Sequence, residues 1–170
     1  MDTSFSENPT SPVQIGTKAP DFTLPATPDQ KMSLSELRGA PVIIAFYPAD
    51  WSPVCGDELT LFNAALEMFK RHRAQLVAIS VDSAWSHAAF SSQRAYHFPL
   101  LADFEPKGAV AKRYGVYRAA EGVCERALFV LDDEGVVRWS EVSPISVNPG
   151  VDGVLDALDR LASTTKGNLS

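Results

Sequence analysis

The feature that most constrains this chain is an apolar run that gives way, through a short proline-bearing loop, to a helix start carrying a cysteine. Val42-Ile43-Ile44-Ala45-Phe46 reads as a buried strand. Residues 59–73 carry Leu59, Phe62, Leu66 and Phe69 at a 3–4 spacing and read as an amphipathic helix. Between them, Ser52 suits the N-cap and Pro53 suits the first helical position, because proline lacks the N–H that goes unused there. Cys55 then falls in the first turn, where unpaired N–H groups and the helix dipole favour an anion. A thiolate is an anion, so this placement is expected to lower the thiol pKa from its free value of about 8.5. The pattern describes a nucleophile site.

The rest of the chain supplies a frame for that site. Residues 76–81 and 127–131 are two further apolar runs that read as buried strands. Asp82 and Ser83 can cap a helix over 84–96, with Trp85, Ala88, Ala89 and Phe90 inward. Residues 98–101 read as a short strand and 105–114 as a short helix. Asp132-Asp133-Glu134-Gly135 is a hairpin turn that returns the chain antiparallel over 136–139. A last helix over 150–162 turns Val154, Leu155, Leu158 and Leu161 inward. Ahead of all this, the alternating piece bracketed by Pro20 and Pro25 reads as an edge strand or extended segment, and 32–34 as a second short strand returning from a turn over 28–31, followed by one helical turn stopped by Gly39. A βαβ unit followed by ββα on one sheet is the thioredoxin-like α/β arrangement: a central mixed β-sheet flanked by helices, here with an N-terminal β extension. One domain is expected over 13–165, with a flexible N-terminal arm over 1–12 and a flexible tail over 166–170.

Charge and composition narrow the function. The net charge of -6 argues against nucleic acid or an anionic membrane as partner. No apolar run approaches the ~18 residues of a transmembrane span, and the polar start has no signal-peptide core. Two cysteines do not make a disulfide scaffold and fit a reducing, cytoplasmic setting. His72, His87 and His97 lack ligand spacing, and there is no glycine-rich phosphate loop, so neither metal nor cofactor is expected.

Pro48-x-x-x-Ser52-x-x-Cys55 resembles the peroxiredoxin signature, Pro-x-x-x-Thr/Ser-x-x-Cys. Further matches follow in order: Ala19-Pro20-Asp21-Phe22, Ile79-Ser80-Val81-Asp82-Ser83, Phe98-Pro99-Leu100-Leu101-x-Asp103, Tyr114-Gly115-Val116 and 126–132. The resemblance implies a thioredoxin-like thiol peroxidase that reduces hydrogen peroxide and organic hydroperoxides through a cysteine sulfenic acid. Its partners would be the peroxide and a thiol reductant of thioredoxin, glutaredoxin or mycoredoxin type, and the short C-terminus is compatible with a monomer or homodimer.

Each residue has a functional and a bland reading. Cys55 is the nucleophile, or a small buried hydrophobe. Ser52 hydrogen-bonds thiolate or peroxide, or simply caps the helix; both can hold, since a hydroxyl donates and accepts. Arg126 is a cation for the thiolate and the leaving oxygen, or part of a surface ion pair with Glu125 or Glu58. Asp57 and Glu58 would oppose ionisation of Cys55, which strengthens the case for a nearby guanidinium. The resemblance implies that Glu58 orients that arginine. Pro48 shields the thiolate, or only ends its strand. Trp51, Phe46 and Tyr47 line an apolar mouth or pack a dimer face, and Trp85 and Trp139 read as core or interface. Strand spacing puts Cys124 on the face of Arg126, from which it could resolve the sulfenate as a disulfide; otherwise an external thiol does so. Two other activities compete. A thiol–disulfide oxidoreductase would need a Cys-x-x-Cys, and Ser52 stands where its first cysteine would be. A non-enzymatic redox sensor would need only Cys55.

Overall fold

The computed structural model describes residues 11–167. Most of the arm expected over 1–12, and residues 168–170 of the expected tail, lie outside the described residues. Ser11 and Pro12 run against Gly115, so closely that a Cβ there would sit 1.9 Å from the Ser11 carbonyl oxygen.

The elements follow the chain as β1 (Thr23–Pro25), β2 (Lys31–Ser33), a 3-10 turn (Leu34–Leu37), β3 (Val42–Phe46), α1 (Pro53–Ala64), α2 (Leu66–Arg71), β4 (Gln75–Ser80) and α3 (Ala84–Arg94). They continue as β5 (Leu100–Ala102), α4 (Ala109–Arg113), β6 (Tyr117–Arg118), β7 (Val123–Cys124), β8 (Arg126–Leu131), β9 (Val137–Ser143) and α5 (Asp152–Gly167). The central sheet has the order β5-β4-β3-β8-β9. β3 runs parallel to β4 and antiparallel to β8, β4 runs parallel to β5, and β8 pairs antiparallel with β9. β1 and β2 form a separate antiparallel ribbon, the expected N-terminal extension. This is the thioredoxin-like arrangement.

The strands β3, β5 and β8 and most of β4 are buried on both faces, which is why they are largely apolar and do not alternate with polar residues, whereas the edge strand β9 exposes Arg138 and Glu141. Successive side chains of β3 and β8 go to opposite sides. Ile43, Ala45, Leu128 and Val130 join Cys55, Leu59, Phe62, Phe69, Val154 and Leu158 in one core. Ile44, Phe46, Ala127 and Phe129 join Phe22, Val77, Ile79, Val110 and Tyr114 in the other.

Several local expectations need correction. The helix expected over 59–73 is two, α1 and α2, broken at Ala65. The break lets Phe69 stay buried against the same core as Phe62. In α3, Trp85 is 75% exposed and Ala88 and Ala89 are exposed, while His87 and Phe90 are buried. The inward stripe therefore holds a histidine, which a hydrophobic pattern does not register. Trp85 is no core residue; Trp139 does pack on the core and closely covers Gly153. Of the helix expected over 105–114, only Ala109–Arg113 is α-helical. α5 runs to Gly167, past the expected end at Ala162.

Candidate active site

β3 ends at Phe46, and the loop 47–52 turns the chain into α1. Ser52 occupies the N-cap position in extended backbone and Pro53 opens the helix. The Ser52 hydroxyl makes no capping hydrogen bond; only its carbonyl is used, accepting from the Gly56 N–H at 2.8 Å. The hydroxyl of a half-buried serine is thus left over at the helix start. Cys55 lies in the first turn with no exposed surface, and Pro48 is buried beside the end of β3.

Arg126 reaches this turn from the first residue of β8. It shares the side of Leu128 and Val130, and so points to the core that holds Cys55. Its Nη2 donates to Cys55 Sγ at 3.3 Å and to the Ile145 carbonyl at 2.7 Å. Its Nε donates to the same carbonyl at 2.9 Å, and Nη1 donates to Glu58 Oε2 at 2.6 Å. Both side chains of the Arg126–Glu58 pair are fully buried, so this is no surface ion pair. Glu58 lies one helical turn beyond Cys55 in α1, and its Oε1 is buried without a hydrogen-bond partner. Burial pushes the Glu58 carboxyl up to about 6, against the pull of Arg126. Asp57, by contrast, is exposed.

The sequence reading missed Ile145. Its contribution is a backbone carbonyl in the loop after β9, and a main-chain acceptor leaves no side-chain signature. It also missed a buried polar cluster behind the loop. Asp50 accepts from the Tyr47 hydroxyl at 2.6 Å and the Ser86 hydroxyl at 2.8 Å, and its Oδ2 lies 2.8 Å from His87 Nδ1. The Asp50 N–H donates to Asp82 Oδ2 at 2.9 Å. Asp50, Asp82 and His87 bring three groups of metal-ligand type within 4.8 Å, although their histidine has no partner at ligand spacing in the sequence. Each is already engaged within the protein: Asp82 Oδ2 also accepts from Ser80, and His87 Nε2 faces the Leu101 carbonyl at 3.1 Å.

Two expectations about neighbours fail. Phe46 does not line a mouth with Trp51; it is fully buried in the core across the sheet. Tyr47 is buried too, and only Trp51 is open, 47% exposed with its ring 5.0 Å from Phe90. Cys124 does not share the face of Arg126. It lies in the core with Phe46, Ala127 and Phe129, on the other side of the sheet from Cys55. Residue parity misled because 124 and 126 are not in one strand. Cys124 ends β7, and the Glu125 N–H turns away to the Val116 carbonyl before β8 begins. Burial, reinforced by Asp103, Asp82 and Glu125, pushes the Cys124 thiol far up. Both cysteines are free.

The sequence profile of the AhpC/TSA family matches residues 15–140. A thioredoxin peroxidase of Echinococcus granulosus is 35% identical over 162 residues, covering 89% of this chain and 83% of that protein. The alkyl hydroperoxide reductase E of Mycobacterium tuberculosis is 36% identical over 131 residues, covering 76% and 86%. Among solved structures, peroxidoxin BcpB of Mycobacterium tuberculosis superimposes with a TM-score of 0.79 at 32% identity, covering 86% of this chain and 97% of that one. A reduced 2-Cys peroxiredoxin of Plasmodium vivax gives 0.83 at 26%, covering 91% and 85%. The chain belongs to the AhpC/TSA family, the peroxiredoxins, and is a thiol-dependent peroxidase.

Proposed function

We propose that this peroxidase reduces hydrogen peroxide and organic hydroperoxides at Cys55 in a one-cysteine cycle closed by an external thiol. The observation that carries the reading is the Arg126 guanidinium, 3.3 Å from Cys55 Sγ in a fully buried first turn. The Cys55 thiolate attacks one oxygen of R–O–O–H. The O–O bond breaks, the S–O bond forms, and RO⁻ leaves and takes a proton to give alcohol or water. Arg126 stabilises the thiolate beforehand and the charge growing on the leaving oxygen during the step. Glu58 and the Ile145 carbonyl hold the guanidinium in place, so that it meets the reaction already oriented. The unused Ser52 hydroxyl is the donor that orients the peroxide, and Pro48 keeps water from the sulfur.

The sulfenic acid on Cys55 is then attacked by a thiol of a thioredoxin-, glutaredoxin- or mycoredoxin-like reductant. Water leaves, a mixed disulfide forms, and a second thiol frees the Cys55 thiolate. Cys124 is a poor resolving candidate, because the central sheet separates it from Cys55 and its thiolate is scarce. Two free thiols fit a reducing, cytoplasmic compartment. Mass spectrometry without reductant after one equivalent of H₂O₂ tests the cycle. Sulfenate on Cys55, trapped by dimedone and absent in Cys55→Ser, is expected. A Cys55–Cys124 disulfide would replace the one-cysteine cycle with an internal one, and peroxide turnover by Cys55→Ser would refute the site.

A further inference from the structure

Trp51, between Pro48 and the Cys55 helix, stands in the left-handed region at φ 68°, where a residue with a Cβ is disfavoured. The loop that sets Pro48 and Ser52 beside Cys55 therefore holds a kink that its own backbone would relax, and something outside the loop must keep it. The residue before the kink is Asp50, whose side chain is fully buried and saturated. It takes hydrogen bonds from Ser86 in α3 and from Tyr47, whose own N–H is held by the Ile79 carbonyl of β4, and it pairs with His87 in α3. His87 Nδ1 lies 2.8 Å from Asp50 Oδ2, and Nε2 lies 3.1 Å from the Leu101 carbonyl. Both ring nitrogens thus face acceptors. The result is a buried hydrogen-bonded pair whose ends are anchored in the sheet and in α3. At the kink itself, the Trp51 ring rests on Phe90 of the same helix.

We infer that Asp50 and His87 are positioning residues for the peroxidase reaction: their buried contact clamps the loop against α3 and holds it closed over Cys55. This rests on Cys55 being the peroxide-reactive sulfur. Neither residue touches the reacting atoms; they act through the loop that carries Ser52. Releasing the clamp relaxes Trp51, draws Pro48 and Ser52 out of register with the sulfur, and uncovers a cysteine that has no exposed surface. Peroxide attack, which needs the register, slows. Alkylation, which needs the thiolate and access but not the register, speeds up. A residue that merely supported the fold would raise labelling of Cys124, buried across the sheet, along with that of Cys55.

The test measures sulfenate formation on Cys55 with H₂O₂ and iodoacetamide labelling of Cys55 and Cys124, each by peptide mass spectrometry, in wild type, Asp50→Asn, His87→Gln and Ser86→Ala. Asp50→Asn and His87→Gln are expected to slow oxidation by about 100-fold, the cost of a misplaced reacting geometry. Ser86→Ala, losing one hydrogen bond to Asp50, is expected to slow it by up to about tenfold. All three are expected to label faster at Cys55. Folded variants with unchanged oxidation, with both rates falling together, or with Cys124 labelling rising as much as that of Cys55, overturn the inference. Should the Asp50 and His87 variants fail to fold, Ser86→Ala decides on the same criteria. Wild type that forms no sulfenate on Cys55 overturns the peroxidase site itself, a different result from variants that match an active wild type.

Discussion

Glu58 shows how one residue can serve a site and weaken the fold. Its folded value of about 6 lies above the ordinary carboxyl value of 4.5, because burial outweighs the pull of Arg126. The folded state therefore holds the proton more tightly than the unfolded chain. The sign follows: stability is greatest below about pH 4.5 and falls as pH rises through about 6, by about 2 kcal/mol in total. Glu58→Gln should lack this dependence. Urea titrations should show the wild type losing about 2 kcal/mol relative to the variant between about pH 4 and pH 7. Arg126 makes the converse case. Arg126→Met strands the Glu58 carboxylate in a buried site and should cost about 3–5 kcal/mol. Adding Glu58→Leu should return part of that stability, since a buried pair replaced by apolar groups is often neutral, while sulfenate formation on Cys55 stays slow. Stability recovered together with activity would contradict the role given to the guanidinium.

At the scale of elements, the ends of α3 matter as much as its face. Ser83 caps it, accepting from the Ser86 N–H at 3.2 Å, and Ser83→Ala should cost about 1 kcal/mol. At the other end Ala95 is left-handed at φ 56°, and the Tyr96 N–H closes on the Ser91 carbonyl. That conformation is one glycine adopts freely. Ala95→Gly should therefore stabilise the protein by about 1 kcal/mol, read as a rise of about 2–4 °C in Tm. Because α3 also presents Ser86 and His87 to Asp50, its register bears on the site as well as on stability. The sequence marked this helix, its Ser83 cap and inward Phe90 but not His87, because His87 is inward for a polar partner that belongs to another segment.

For the whole molecule, the central sheet is a partition. One side holds Cys55 with α1 and α5; the other holds Cys124 with Tyr114 and the N-terminal ribbon. Cys124→Ala should keep peroxide turnover with an external thiol and lose about 1 kcal/mol through the small void it leaves. A coupled peroxidase assay together with thermal unfolding checks both. Loss of turnover with the fold intact would mean the partition opens during the cycle. No helix among the described residues is long and apolar enough to cross a membrane.

What the chain determines unaided is local and periodic. An apolar run must be buried, Ser52-Pro53 must begin a helix, and the helix period then puts Cys55 in its first turn. Alternation along β8 likewise sends Arg126 to the side of Leu128. These follow from backbone geometry over a few residues, so they are legible in order. Only the folded chain decides which distant groups meet: Arg126 with Glu58 and the Ile145 carbonyl, Asp50 with His87, and Cys124 across the sheet from Cys55. Those pairings depend on where a strand stops, as at Glu125, and on which buried polar group finds a partner. Burial makes such partners necessary, but sequence spacing does not name them.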